Sequence, residues 1–213
     1  MPMPIPTLPR RRLLTLAAGA ACIASPALHL GARAQGTRRA TPAQTEGPFY
    51  PVALPADSDA DLLANGKLRY AQGQPAWVEG TVSDVEGRAV RGAQVEIWQC
   101  DHDGHYHHPG DGGRADPAFQ GFGRVAVDGE GRYRFRTMRP VAYGPRAPHI
   151  HFKVRLGSRE LLTTQLYVAD DPGNARDGLW RSLRDAQDRA ALTVPFVAGS
   201  DGLKAQFPIV VAA

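Results

Sequence analysis

The sequence predicts an all-β domain, a sandwich or barrel. Three observations predict it. Short stretches alternate apolar and polar residues, as half-buried strands do. Turns rich in Gly, Asp and Pro separate them at short intervals. Only one stretch repeats its apolar residues at helical spacing.

Taken in order, Ala76-Trp77-Val78-Glu79-Gly80-Thr81-Val82 alternates and reads as the first strand. Asp84-Val85-Glu86-Gly87-Arg88 is a turn. Residues 93–99 alternate again. Val125-Ala126-Val127, the turn Asp128-Gly129-Glu130-Gly131 and residues 133–137 predict a hairpin. Further strands are predicted over residues 149–156, 161–168 and 207–211. One short helix is predicted over residues 178–192, where Leu179, Leu183, Ala186 and Ala190 share a face. Residues 35–75, rich in Pro, Gly and Ala, read as an extended N-terminal arm, and residues 76–213 as the β domain.

The chain starts with an export pattern. Arg10-Arg11-Arg12 precedes an apolar run that ends near Leu30, and Ala32-Arg33-Ala34 offers an Ala-x-Ala cleavage site. The paired arginines mark residues 1–34 as a twin-arginine-type signal peptide. The mature protein is therefore expected in the periplasm or secreted, with no membrane attachment once the signal is removed. Pro26 and the small residues make the run a poor spanning helix.

Four arginines and no acids fall within residues 1–34. The whole chain has 25 basic and 21 acidic residues, so the rest holds 21 of each. The net charge of +4 thus belongs to the signal, and no basic surplus marks a nucleic-acid partner. Cys22 lies in the signal and Cys100 stands alone after it, so no internal disulfide staples the mature chain.

The chemistry concentrates in His149-Ile150-His151. Residues i and i+2 of a strand share a face, so the two imidazoles aim at one point. That arrangement suits a metal ion, and tyrosines stand close by in sequence: Tyr143 upstream and Tyr106 in Asp103-Gly104-His105-Tyr106. A phenolate is a hard anionic oxygen donor that suits a hard metal ion. His102, His105, His107 and His108 crowd one loop and read as a solvated polar stretch, with a second, adventitious metal site as the alternative.

Several separated motifs stand in a telling order. They are Thr45-Glu46-Gly47-Pro48-Phe49-Tyr50, Trp98-Gln99-Cys100-Asp101-x-Asp103-Gly104-x-Tyr106, Phe119-Gln120-Gly121-Phe122-Gly123-Arg124, Pro140-x-x-Tyr143 and Arg146-x-Pro148-His149-x-His151. Together they resemble the intradiol ring-cleavage dioxygenases, the group of protocatechuate 3,4-dioxygenase and catechol 1,2-dioxygenase. The resemblance runs from about Thr41 to Val168. It implies an antiparallel β-sandwich and a non-haem Fe(III) held by Tyr106, Tyr143, His149 and His151. It implies that Tyr143 is the labile ligand and that Arg146 is the active-site arginine, in contact with substrate. Gln165 would lie beside the iron, and Gly47 and Pro48 would border the substrate. The substrates implied are a small aromatic diol and O2, and the product a cis,cis-muconate. The resemblance leaves a homo-oligomer open.

Two other readings fit parts of the pattern. Gly80-Thr81-Val82-x-Asp84-x-x-Gly87-x-x-Val90-x-Gly92-Ala93-x-Val95 is similar to the transthyretin-like sandwich of exported binding modules. Such a module does not require the two tyrosines and two histidines. The third reading keeps the metal but makes it Zn(II) or Cu(II), on the same sandwich.

Overall fold

The longest strands pair in two sheets that face each other. The computed structural model describes residues 1–3 and 38–212. The signal peptide and Cys22 fall, after Met3, outside the described residues. At the centre of the first sheet is β3 (Pro75–Asp84). It pairs antiparallel with β6 (Arg132–Met138), Val78 opposite Phe135. On its other side, β11 (Gly202–Gln206) and then β12 (Ile209–Val211) run parallel to it. A short β10 (Val197–Gly199) closes that edge. The second sheet runs β5 (Phe122–Ala126), β4 (Ala93–Trp98), β7 (His149–Leu156), β8 (Arg159–Val168), β9 (Thr193–Val194).

The predicted sandwich is therefore present, mostly antiparallel, with parallel pairs where β11, β12 and β9 join. Three expectations need correction. Residues 125–137 do turn tightly, Gly131 N–H donating to the Asp128 carbonyl at 3.0 Å. The flanking strands nevertheless pair in different sheets, β5 with β4 and β6 with β3. The turn crosses between layers and makes no hairpin. The single helix is two: α1 (Gly178–Ser182) and α2 (Ala186–Leu192). Asp185 ends the first turn sequence and caps the second helix through the Gln187 N–H at 2.7 Å. The last strand begins at Ile209, because Pro208 before it has no N–H to give to the ladder.

Strand alternation sorts the second sheet. Val95 and Ile97 of β4, Ile150, Phe152 and Val154 of β7, and Leu162 and Leu166 of β8 face the first sheet, where Val78, Val82, Phe135 and Phe207 meet them. Fully burying such a side chain stabilises by about 1.5–3 kcal/mol. The opposite face carries Glu96, Trp98, His149, His151, Lys153, Gln165 and Tyr167. Register places Trp98 and Gln165 on either side of His151, and Tyr167 beside His149.

An outer face of this kind meets water in a bare sandwich. Here the arm covers it. The Gln44 N–H donates to the Thr163 carbonyl at 2.9 Å, Lys153 pairs with Glu46, and the Tyr50 hydroxyl donates to Glu96 at 2.8 Å. The arm is extended as predicted up to a small hairpin of β1 (Ala64–Asn65) and β2 (Leu68–Arg69). Leu62 and Leu63 sink its far end into the core. Among the described residues, no helix is long and apolar enough to cross a membrane.

Candidate active site and metal centre

Three donors converge on the covered face. His149 Nε2 lies 3.2 Å from His151 Nε2 and 3.4 Å from the Tyr106 hydroxyl. All three side chains are buried. His149 Nδ1 lies 2.6 Å from the Ala147 carbonyl oxygen, which accepts only, so the ring proton sits on Nδ1. The Nε2 lone pair of His149 then points at His151.

The electrostatics keep these donors neutral. Burial, and then the nearby Arg146 charge, pushes His149 down to about 4. Burial and the neighbouring His149 and Arg146 push His151 well below its ordinary value. Burial raises the Tyr106 phenol well above the usual tyrosine range. A trivalent cation would reverse that last preference, since coordination favours the phenolate. Two imidazole lone pairs and a phenol oxygen within 3.4 Å therefore fit a metal ion. No group of three or more His, Cys, Asp or Glu that could hold a metal occurs among the described residues. An ion at this site would need the Tyr106 oxygen beside the two imidazoles.

Each donor has its own support. Tyr106 sits in a loop pinned by two buried carboxylates. Asp101 accepts the N–H groups of Asp103, His105 and Asp116, and Asp111 accepts the Tyr106 N–H at 2.7 Å. Trp98 lies parallel to the His151 ring with centroids 4.8 Å apart. Its place beneath the site follows from the strand pairing. Tyr143 is half-buried on a tight turn. Its N–H and carbonyl bond the carbonyl and N–H of Arg146 at 3.2 and 2.8 Å, and Gly144 takes the required positive φ of 51°. The Tyr143 ring stands edge-on to Tyr106, centroids 5.4 Å apart.

The other predicted residues fall around these. Arg146 gives Nε to Asp177 at 2.8 Å, and Nη2 to Gln165 at 2.6 Å and Tyr167 at 3.1 Å. Gln165 is buried and donates its amide to the Thr45 carbonyl at 3.0 Å, joining the arm to the sheet. Gly47 passes over His151: a Cβ built there would stand 3.3 Å from Cε1 of the imidazole. Pro48 follows on the exposed side of the arm.

The histidine-rich loop does not gather. His107 meets the Asp116 carbonyl at 3.1 Å, and His108 accepts the Gly110 N–H at 3.0 Å. His105 lies 3.4 Å from Asp111. Cys100 is buried beside Tyr106, and burial pushes its thiol up to about 12, so it offers no thiolate.

Three contributors escape sequence reading. Phe49 of the arm stacks on Tyr106 at 4.7 Å and stands edge-on to Tyr143 at 5.3 Å. Asp177 binds Arg146. The Ala147 carbonyl sets the His149 tautomer. Phe49 belongs to the quoted arm motif, but nothing in its spacing says which ring it meets. A concavity of about 730 Å³ lies elsewhere, between Glu79, Val125, Arg132 and Arg134. It is open and holds none of the donors. A smaller cavity of about 120 Å³ adjoins Phe49, Trp98 and Tyr106.

Two histidines and two tyrosines on this sandwich define a class, and similarity to known proteins agrees with it. A family model described as "Dioxygenase" matches residues 45–212. The chain belongs to the intradiol ring-cleavage dioxygenase family. It is 36% identical over 150 residues to hydroxyquinol 1,2-dioxygenase of Corynebacterium glutamicum, covering 62% of this chain and 47% of that one. It is 40% identical over 152 residues to the protocatechuate 3,4-dioxygenase beta chain of Burkholderia cepacia, covering 65% and 64%. The chain thus spans about half the length of the first relative and under two thirds of the second. Among solved structures, the dioxygenase domain of a dioxygenase–carbohydrate-binding fusion from Streptomyces sp. SirexAA-E matches with a TM-score of 0.62. That pair shows 28% identity and covers 81% of this chain and 97% of that one.

Proposed function

We propose that this chain is a non-haem Fe(III) intradiol dioxygenase. It would insert both atoms of O2 into a catechol-type ring, between the two hydroxyl-bearing carbons, to give a cis,cis-muconate. The convergence of Tyr106 Oη, His149 Nε2 and His151 Nε2 carries this reading. Tyr106, Tyr143, His149 and His151 would hold the iron. Bound Fe(III) would draw charge from a catecholate and so make the ring reactive toward O2.

The residues divide the remaining work. Tyr143, half-buried on its turn, is the more exposed phenol, and its oxygen can take a proton from a catechol hydroxyl. Tyr106, buried and pinned through its N–H, stays in place. Arg146 brings a guanidinium charge and stabilises negative charge that develops on the ring. Gln165 holds Arg146 from the next strand. Gly47 and Pro48 wall the site against water, with Phe49 packed behind them. The signal pattern supports export, and the mature protein would act in the periplasm or outside the cell.

The visible spectrum of the iron-loaded mature protein tests the reading. A red-brown band that shifts on anaerobic addition of catechol, hydroxyquinol or protocatechuate is expected, followed by ring cleavage on admitting O2. A colourless protein that holds stoichiometric iron would sink it, and a zinc or binding-module role would take its place.

A further inference from the structure

Asp177 is a carboxylate with 0% exposure, and four N–H groups surround it. Oδ2 accepts Nε of Arg146 and the backbone N–H of Ala147, each at 2.8 Å. Oδ1 accepts the backbone N–H groups of Leu179 at 2.8 Å and Trp180 at 3.0 Å, capping α1. Burying a charge costs several kcal/mol unless donors compensate. Capping a helix needs neither burial nor a second oxygen. The second oxygen serves the two residues that lead into the His-x-His strand.

The consequences reach two parts of the site. Asp177 holds Nε of Arg146, while Gln165 and Tyr167 hold Nη2. Nη1 has no hydrogen-bond partner among the described residues. With only the Nη2 contacts, the guanidinium could pivot about that nitrogen; the Asp177 contact removes the pivot and fixes the Nη1 edge. Ala147 is held by the same carboxylate on its N–H side. Its N–H goes to Asp177, and its carbonyl accepts Nδ1–H of His149 at 2.6 Å. One carboxylate thus orients a guanidinium and anchors the residue whose carbonyl, on the other side of its Cα, sets a histidine tautomer.

We propose that Asp177 is a positioning residue for the reaction, acting through Arg146 and, by anchoring Ala147, on His149. The proposal rests on the ring-cleavage reading of the site and adds to it a residue from outside the two central strands. Asp177 itself touches no reacting atom.

Asp177→Ser separates positioning from capping, because serine caps a helix as well as aspartate does but does not reach Arg146. Asp177→Asn is the second variant, keeping size and losing charge. The first readout needs neither iron nor turnover. In the metal-free protein, the Arg146 Nε–H NMR signal, assigned by its loss in Arg146→Lys, is expected to be slowly exchanging. It should exchange fast in both Asp177 variants, while the β7 and β8 amides keep their shifts. The second readout is a double-mutant cycle on iron-loaded protein. Asp177→Ser and Arg146→Ala should each lower kcat about tenfold or more, with KM nearly unchanged. The double variant should fall no further than about threefold below the weaker single, since nothing is left to position. Losses that multiply, an unchanged Nε–H signal, or unfolding of both Asp177 variants would each overturn the proposal. A wild type that cleaves no catechol would instead overturn the ring-cleavage reading, and the NMR signal would still decide whether Asp177 orients Arg146.

Discussion

Trp98 lies flat against His151, their ring planes 8° from parallel and their centroids 4.8 Å apart. The neighbouring His149 is held differently, by its hydrogen bond to the Ala147 carbonyl at 2.6 Å. His151 Nδ1 is buried and has no hydrogen-bond partner among the described residues. Stacking and packing therefore set the orientation of one imidazole, and a hydrogen bond that of the other. Supports of this kind tune a metal ligand about 10–100-fold in affinity when they are removed. Trp98→Leu should weaken iron binding by roughly tenfold, at the low end of that range, while Trp98→Phe keeps most of it. Iron titration against a competing chelator reads the difference. Equal affinities in the two variants would assign the indole to core packing alone.

Tyr106 contributes little to the metal-free fold through its hydroxyl. Its contact with His149 Nε2 spans 3.4 Å, too long for a strong hydrogen bond. Removing a poorly partnered buried hydroxyl is nearly neutral or slightly stabilising. Tyr106→Phe should leave the melting temperature of metal-free protein almost unchanged. The same variant should lose the visible band and most of its iron affinity, because the anionic oxygen ligand is gone. Full iron with an unaltered spectrum would remove Tyr106 from the ligand set.

How much of this was legible in the chain depends on the range of each interaction. Alternation in β7 is local, so the shared face of His149 and His151 could be read directly, whereas Trp98 beneath them depends on the pairing of β4 with β7. The turn at Asp128–Gly131 was also legible as a chain reversal. Its partner strands were not, because turn chemistry fixes a reversal and tertiary pairing fixes which sheet each arm joins. The split between α1 and α2 turned on Asp185, whose capping competes with an apolar repeat that runs straight past it. Asp177 gave no signal at all, since it meets Arg146 across 31 residues of chain. The arm's contacts are of the same kind. Phe49 and Gly47 find Tyr106 and His151 only because the arm crosses the outer face of the second sheet.

Gly47 tests that crossing. Its φ of +74° strains any side chain, and a Cβ there would press on the His151 ring. Gly66 has a φ of +56° and open space around it, so it isolates the backbone cost. Gly66→Ala should destabilise by about 1 kcal/mol and leave iron affinity intact. Gly47→Ala should destabilise at least as much and also weaken iron binding. Chemical denaturation and iron titration on both variants separate strain from contact. Matching iron affinities in the two would place the arm's glycine outside the site.

The buried histidines set an acid limit on the metal-free protein. His149 is pushed down to about 4 and His151 well below its ordinary value, burial being the main cause in both. In the unfolded chain both return to about 6.5. Between these values the unfolded state binds more protons than the folded state, so stability rises with pH. The contribution is fully present above about 6.5 and is lost as pH falls toward 4. For His149 alone it is on the order of 3 kcal/mol. The depressed carboxylates, among them Asp177 and Asp84, act in the same direction but below their ordinary range near 4. The interval from 6.5 to 4 therefore belongs to the histidines. Urea denaturation of metal-free protein at steps through that interval should show stability falling steadily with acid. The double variant His149→Gln, His151→Gln should show a much flatter profile. A wild-type stability that does not change between pH 6.5 and 4.5 would mean that the two imidazoles take up protons as freely in the fold as outside it.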